Sequence, residues 1–267
     1  MSRIVALLTK ELIDLRQNPS VFIPALLTGL ISTALPFFVA IVVPALTGDR
    51  LSDSSDFQRA MEMFRTQSGA VTLDPAGAVQ AWIFQQFLLL LTITPIAGAM
   101  SIAAAAVIGE KQARTLEPLL ATPLTTSELL AAKVLGALLP AIGLSIGCFA
   151  VYVGGVWLFA EPGVFLLMLT ARPLAVMFLI GPLASLAALQ LAVCVSSRVN
   201  DSRSAQQIGA LVILPISGLL VAQLMGGLQL TGRLILILSS GLALFNAVLM
   251  MVGVALFDRE SILTRWK

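Results

Sequence analysis

The stretch AWIFQQFLLLLTITPIAGAMSIAAAAVI, Ala81 to Ile108, runs for 28 residues without one acidic or basic side chain. A helix needs about 20 predominantly apolar residues to cross the hydrocarbon core of a bilayer, so this stretch is long enough to span. Over the whole chain, 58% of the 267 residues are hydrophobic and only 11% are charged, whereas a soluble domain carries about 25% charged residues. The sequence therefore predicts an all-α integral membrane protein.

Six uncharged runs satisfy the length requirement for a membrane-spanning helix. They lie at about 21–46, 81–108, 134–160, 174–195, 210–230 and 234–257, and together they form a predicted six-span transmembrane domain over residues 19–267. A further apolar run, Val164 to Ala171, is too short to cross and ends at Arg172-Pro173. We expect this segment to be a re-entrant or interfacial piece before the fourth span.

The segment before the first span, RIVALLTKELIDLR from Arg3 to Arg16, is amphipathic. At 100° per residue one side carries Ile4, Val5, Leu7, Leu8, Leu12 and Leu15, and the other carries Arg3, Lys10, Asp14 and Arg16. Such a helix lies in the plane of the interface, and Asn18-Pro19 separates it from the first span. Residues 1–18 are thus predicted to form an interfacial (elbow) helix, either as a plain anchor or as a contact for a partner.

The distribution of lysine and arginine predicts the orientation of the spans. With both termini in the cytoplasm, eleven of the sixteen Lys and Arg residues are cytoplasmic and five are external. Because cytoplasmic loops carry an excess of these residues, this arrangement is favoured. It places the segment Gly109 to Lys133 in the cytoplasm, and we expect the protein in the plasma (cytoplasmic) membrane.

Several classes of chemistry are excluded by residues that the sequence lacks. Histidine is absent, which removes imidazole metal sites and Ser-His hydrolysis. No charged residue lies inside the six predicted spans, so no ion relay is evident. The chain has no G-x-x-x-x-G-K-[ST] motif for nucleotide phosphates, and a net charge of +2 gives no footprint for nucleic acid. We therefore predict no catalytic, cofactor-binding or metal-binding residue in this chain.

The insert GEKQARTLEPLLATPLTTSELLAAK, Gly109 to Lys133, concentrates charge between two apolar runs. A first helix is predicted up to Ala121, where Thr122-Pro123 ends it. A second helix begins at the capping box Thr125-x-x-Glu128, in which the hydroxyl and the carboxylate bond each other's free amides, and continues into the third span. The pattern indicates a stiff amphipathic lever, or alternatively an ordinary solvated loop.

The order of residues in this insert resembles the signature of the ABC type-2 permease family, in which a glutamate precedes GTLE, LL, TP and a closing GK. The matching positions are Glu110, Thr115-Leu116-Glu117, Leu119-Leu120, Thr122-Pro123, Glu128 and Lys133. The chain departs from the pattern at Arg114 and Ala132, which occupy glycine positions, and at Pro118 within the first helix.

The resemblance implies the membrane permease subunit of an ATP-driven transporter, with a coupling helix between spans 2 and 3 at Thr115 to Ala121, and we expect this transporter to be an exporter. It implies two ABC ATPase subunits, which would bind the ATP and magnesium, and a second permease copy as partners, so that this chain is not an enzyme by itself. The residues that it assigns to ATPase contact or lever support are Glu110, Arg114, Thr115, Leu116, Glu117, Leu119, Leu120, Thr122, Pro123, Glu128 and Lys133, with Lys10, Glu11 and Asp14 from the elbow helix.

Three alternatives remain open from the sequence. An ion-coupled secondary carrier or a channel would need an ion pathway, which backbone carbonyls can supply without charged side chains. A membrane assembly protein without transport activity would bind a partner but no cargo. An intramembrane enzyme is the least favoured alternative, because no predicted span contains histidine or a charged pair.

Overall fold

Helices account for every regular element in the part of the chain that the structure describes. This computed structural model describes residues 5, 8–10, 13–14, 23–47, 73–113, 126–196, 202–225 and 230–256. Six of its helices are long and apolar enough to cross a membrane, and they are numbered here as spans 1 to 6: Ile23–Thr47, Pro75–Glu110, Glu128–Phe159, Ala171–Ser196, Arg203–Leu224 and Gly232–Leu256. The prediction of an all-α protein with six spans is confirmed.

The individual helices subdivide these spans. The α-helices are Ile23–Phe37, Val43–Thr47, Pro75–Leu91, Ile93–Gln112, Thr126–Phe159, Val164–Met168, Ala171–Ala175, Gly181–Ser196, Ser202–Gly209, Ile213–Leu224 and Gly232–Leu256. Two π-helical segments, Phe38–Val42 and Val176–Ile180, and one 3₁₀ turn, Ala210–Val212, connect consecutive α-helices within a span. The bundle has two ends, which we call the Glu110 end and the Glu161 end after a residue at each.

Span 2 begins earlier than hydropathy indicates, at Pro75 instead of residue 81. Asp74 precedes the helix, and proline is well suited to a first helical position because its missing N–H has no helical partner there. The α-helix is interrupted at Thr92, between the helices Pro75–Leu91 and Ile93–Gln112. Pro95 contributes to this interruption, because it has no N–H to donate to the carbonyl of Leu91 four residues earlier.

Spans 2 and 4 form the centre of the bundle. In their most apolar windows 83% and 61% of the residues are buried, against 22% to 28% for spans 1, 3, 5 and 6. Span 2 packs against span 4 and against spans 1 and 3, and span 4 also contacts spans 5 and 6. The four outer spans therefore expose broad apolar surfaces. Contact of these surfaces with lipid or another membrane chain is favourable, whereas contact with water is not.

Spans 1 and 4 each contain one π-helical turn. The amide of Val43 bonds to the carbonyl of Phe38, and the amide of Gly181 bonds to the carbonyl of Val176, so each bond reaches back five residues instead of four. In span 1 this turn directly follows Pro36, which lies inside the helix. A π turn accommodates one extra residue and is a common cause of a local bend.

Aromatic side chains join spans 1, 2 and 3 toward the Glu161 end. The rings of Phe37, Phe84 and Tyr152 lie within 5.1 to 5.9 Å of one another, centroid to centroid. The hydroxyl of Tyr152 donates a 2.7 Å hydrogen bond to the carbonyl oxygen of Phe84. Gly155 lets Phe37 approach span 3, because a Cβ at that position would lie 2.6 Å from the Cζ atom of Phe37.

The short apolar segment between spans 3 and 4 folds onto span 2. It forms the helix Val164–Met168, whose two terminal side chains are fully buried. The Nε2 atom of Gln85 donates to the carbonyl of Leu167 at 3.1 Å, and the amide of Glu161 donates to Oε1 of Gln80 at 2.8 Å. The segment does not cross the bundle. It closes the Glu161 end between spans 2, 3 and 4.

Candidate functional site

Four charged side chains form a connected ion cluster at the Glu110 end. The Nζ of Lys133 lies 2.6 Å from Oε2 of Glu110, and the Nζ of Lys10 lies 2.5 Å from Oε1 of the same carboxylate. Lys10 is also 3.2 Å from Oδ2 of Asp14. One carboxylate therefore bridges two ammonium groups, and we refer to Asp14, Lys10, Glu110 and Lys133 as the ion cluster.

Three separate parts of the chain supply the ion cluster. Glu110 lies in the last turn of the helix Ile93–Gln112, and Lys133 lies in the second turn of the helix Thr126–Phe159. Lys10 and Asp14 are helical residues near the N-terminus and are four positions apart, a spacing that places them on one face. The cluster thus ties the N-terminal segment to the junction of spans 2 and 3.

Burial differs sharply across the ion cluster. Lys133 is 3% exposed and Glu110 is 8% exposed, whereas the side chain of Lys10 is 42% exposed and that of Asp14 is about half-exposed. Removing one partner of a buried ion pair leaves an uncompensated charge and costs about 3–5 kcal/mol. An exposed pair contributes roughly 0–1 kcal/mol. The pair between Glu110 and Lys133 is therefore the part of the cluster that most constrains the structure.

Buried apolar side chains lie one helical turn from the paired residues. Val107, Leu129, Leu130 and Ala137, each three or four positions from Glu110 or Lys133, belong to one buried cluster that joins spans 2, 3 and 4. Ile108, two residues before Glu110, belongs to a second cluster that includes Ala205 of span 5. Because nearby hydrocarbon lowers the local dielectric, the attraction within the pair is stronger than it would be in water.

The ion cluster flanks the insert that sequence analysis singled out. Glu110 precedes residues 114–125 and Lys133 follows them. The buried pair therefore brings together the chain segment that leads into that stretch and the one that follows it. Glu128, also a predicted contact residue, is partly buried in the first turn of the helix Thr126–Phe159. The other predicted site residues lie outside the described part of the chain: Glu11, Arg114, Thr115, Leu116, Glu117, Leu119, Leu120, Thr122 and Pro123.

All four members of the ion cluster are among the site residues expected from the sequence, but their pairing is not. Helical spacing would instead pair Glu110 with Arg114, four positions on, and Arg114 lies outside the described residues. Lys10 and Glu110 are 100 positions apart, and no local pattern indicates such a contact. In the described residues no group of three or more His, Cys, Asp or Glu side chains is arranged to hold a metal ion.

Taken together, six apolar helices and a buried ion pair at the base of a charged insert define an integral membrane protein of the helical-bundle class. A family model described as ABC-2 family transporter protein matches residues 64–261, about three quarters of the chain. The chain therefore belongs to the ABC-2 family of transporter proteins and is a membrane permease subunit of an ABC transporter. The comparison with curated proteins gave no match.

Proposed function

We propose that this permease subunit exports its cargo and is driven by a separate ATPase that docks on the insert between spans 2 and 3. The observation that best supports this proposal is the buried pair of Glu110 and Lys133, which joins both ends of the insert to the bundle. A docking element transmits force to the spans only if it is attached to them rigidly. A buried ion pair next to apolar side chains provides such an attachment.

Within this proposal the predicted site residues divide into two groups. Leu116, Leu119 and Leu120 are the apolar anchors that the ATPase holds, because the resemblance places them on the coupling helix. Glu110 and Lys133 are supports, since their charged groups are buried and paired within this chain. Lys10 extends the support to the N-terminal segment, so that a displacement of the insert also moves the elbow helix.

The free energy needed to switch the transport pathway between its two states favours an external motor. Switching a pathway from 1:99 to 99:1 between its two states requires about 5.5 kcal/mol of differential interaction. The predicted spans carry no charged residue that would respond to an ion gradient within the bilayer. ATP and magnesium would be bound by the partner subunits, two per transporter, while a second permease copy covers part of the exposed apolar surface.

The direction of transport and the orientation of the chain in the membrane belong to the same proposal. A cytoplasmic location for both termini and the insert is supported by the excess of Lys and Arg in these segments, eleven of sixteen. Residues 48–74, between spans 1 and 2, are then the largest external segment, which is too short for a domain that receives cargo from a solute-binding protein. This supports export over import.

The double variant Leu116→Asp with Leu120→Asp tests the proposal. We expect it to insert into the membrane at normal levels, to lose copurification of the ATPase encoded with it, and to lose transport in proteoliposomes. The matched control is Leu51→Asp with Met61→Asp, which places the same charges in the segment proposed to face outward and should keep both properties. Unchanged ATPase binding and unchanged transport in the first variant would refute the coupling role of the insert.

A further inference from the structure

Span 6 buries a single stripe of its surface. Its buried residues are Ile235, Ser239, Asn246, Leu249 and Gly253, which follow one another at spacings of three, four or seven and therefore share one face of the helix. Most other residues of this span are exposed or partly exposed. Two members of the stripe, Ser239 and Asn246, are polar, although span 6 lies in the apolar part of the bundle.

The stripe packs against span 4. The Nδ2 atom of Asn246 donates to the carbonyl of Leu183 at 2.9 Å. Toward the Glu110 end, the Sγ of Cys194 lies 4.0 Å from the carbonyl oxygen of Leu249, and a Cβ on Gly253 would lie 3.6 Å from the same sulfur. Residue numbers rise in the same direction on both helices, so spans 4 and 6 run parallel and form a continuous seam.

By its spacing, Gln190 lies on the face of span 4 that borders this seam. It follows Leu183 by seven positions and precedes Cys194 by four, and these spacings place all three residues on one face of a helix. Its side chain is more than nine-tenths buried, and its Oε1 atom has no hydrogen-bond partner among the described residues. Asn246 also has a buried oxygen without a partner. Both of its hydrogen bonds are donated by Nδ2, and its Oδ1 accepts none in the described part of the chain.

Ser239 adds a third oxygen to the seam. Its hydroxyl is buried and, within the described residues, has no partner. The next residue, Ser240, is exposed about 100° around the helix, and its hydroxyl donates to the carbonyl of Leu236 at 2.8 Å. A serine on an apolar helix surface ordinarily makes that bond within its own helix. The geometry of Ser239 is therefore a property of the seam and not of serine in this helix.

Oxygen atoms buried in hydrocarbon require hydrogen-bond donors. Ser239 and Asn246 are seven residues apart, which is about 10 Å along a helix. That separation is too large for both oxygens to coordinate one cation, because a hard cation holds its oxygen ligands at about 2.0–2.6 Å. Several small donors placed in sequence along the seam would satisfy all three oxygens.

We propose that the seam between spans 4 and 6 is a water-binding crevice within one protomer, in which a chain of water molecules donates hydrogen bonds to Ser239, Asn246 and Gln190. Water molecules commonly make about three hydrogen bonds to buried polar groups that otherwise have no partner. The crevice gives span 6 a hydrated contact with span 4, one of the two central helices of the bundle. This inference does not depend on export or on the partner ATPase.

Cysteine chemistry tests the proposal, because a thiol reacts as the thiolate, which forms in water and not in hydrocarbon. The background is the full chain in proteoliposomes with Cys148→Ala and Cys194→Ala, the chain's two native cysteines. Ser239→Cys and Ser240→Cys are introduced separately and exposed to the small reagent methyl methanethiosulfonate. We expect Ser239→Cys to react at least tenfold faster than Ser240→Cys, although Ser239 is the more buried residue.

Two outcomes would overturn the proposal. If Ser239→Cys reacts no faster than Ser240→Cys, the seam is dry. A further variant, Gln190→Leu in the Ser239→Cys background, removes the oxygen at the other end of the crevice and should slow the reaction severalfold. An unchanged rate there would show that the three oxygens do not share one body of water.

Discussion

The ammonium of Lys133 and the carboxylate of Glu110 are 2.6 Å apart, although 22 residues of chain separate them. Both groups are buried, one in the last turn of the helix Ile93–Gln112 and the other near the start of the helix Thr126–Phe159. An ion pair at this position holds the end of span 2 against the start of span 3.

Removing the carboxylate should destabilise the protein more than removing both charges. We expect Glu110→Gln to lower the free energy of unfolding by about 3–5 kcal/mol, because Lys133 is left buried without a counterion. Replacing Lys133 by Met in the same chain should recover at least half of that loss. Thermal unfolding in lipid nanodiscs measures both effects, and a double variant less stable than Glu110→Gln would contradict this account.

Lys10 should matter less for stability than Lys133. Its side chain is 42% exposed, so water screens its interaction with Glu110, and exposed pairs contribute roughly 0–1 kcal/mol. We expect Lys10→Ala to shift the unfolding temperature by little and Lys133→Ala to shift it strongly. Both variants replace a lysine that pairs with Glu110, so they differ mainly in how deeply that lysine is buried. Equal shifts would show that burial does not determine how much each lysine contributes to stability.

Adjacent glycines in span 3 provide a matched test of helix packing. A Cβ at Gly155 would meet Phe37 at 2.6 Å, whereas no atom lies within 4 Å of a Cβ at Gly154. We expect Gly155→Ala to cost about 1–3 kcal/mol through overpacking and Gly154→Ala to be neutral or slightly stabilising. Unfolding temperatures of the two variants decide the matter. Phe37→Leu should relieve the strain of Gly155→Ala if the ring is its source.

The hydrogen bond from Tyr152 to the carbonyl of Phe84 should contribute modestly. Tyr152→Phe keeps the ring contacts with Phe37 and Phe84 and removes only the hydroxyl. We expect a loss of about 0.5–1.5 kcal/mol, the usual net contribution of an internal hydrogen bond. Tyr152→Leu, which also removes the aromatic contacts, should cost clearly more. Equal losses in the two variants would assign the whole effect to the hydroxyl.

The proposed orientation is open to a direct measurement. Green fluorescent protein fused after Lys267 should fluoresce, because it folds on the cytoplasmic side, and alkaline phosphatase at the same position should be inactive. The reciprocal fusions after Gly48, at the end of the first span, should give the opposite pattern. A fluorescent fusion at Gly48 would reverse the proposed topology.

Hydropathy predicts the six spans well because each outer helix needs only length and apolar composition to lie in lipid. It fails at the start of span 2, where the segment Pro75 to Gln80 has small, weakly apolar residues yet is helical, with Gly77, Ala78 and Val79 buried. Burial there comes from the turn after span 3, since Glu161 and Val164 pack around Gln80 and Gly77. That contact is made between distant parts of the chain, so local composition does not reveal it.

The candidate site shows the same limit. The charged residues at the ends of spans 2 and 3 were recognisable in the sequence, because a run of charge between apolar segments is conspicuous. Their pairing was not, since Lys10 reaches Glu110 only after the N-terminal segment lies against span 2. Helical spacing predicts contacts between neighbours in one helix, whereas the strongest contact of this cluster joins two helices.

The π turns at Phe38–Val42 and Val176–Ile180 have a consequence for comparing this chain with its relatives. Each behaves as a one-residue insertion that the helix has absorbed, so the side chains beyond it are rotated by about 100° relative to an uninterrupted α-helix. Deleting one residue within either turn would keep the span in the membrane while turning its far portion toward different neighbours. A gap of a single residue in either of these spans of a homologue would therefore indicate that the side chains beyond it contact different neighbouring helices, and not an error of alignment.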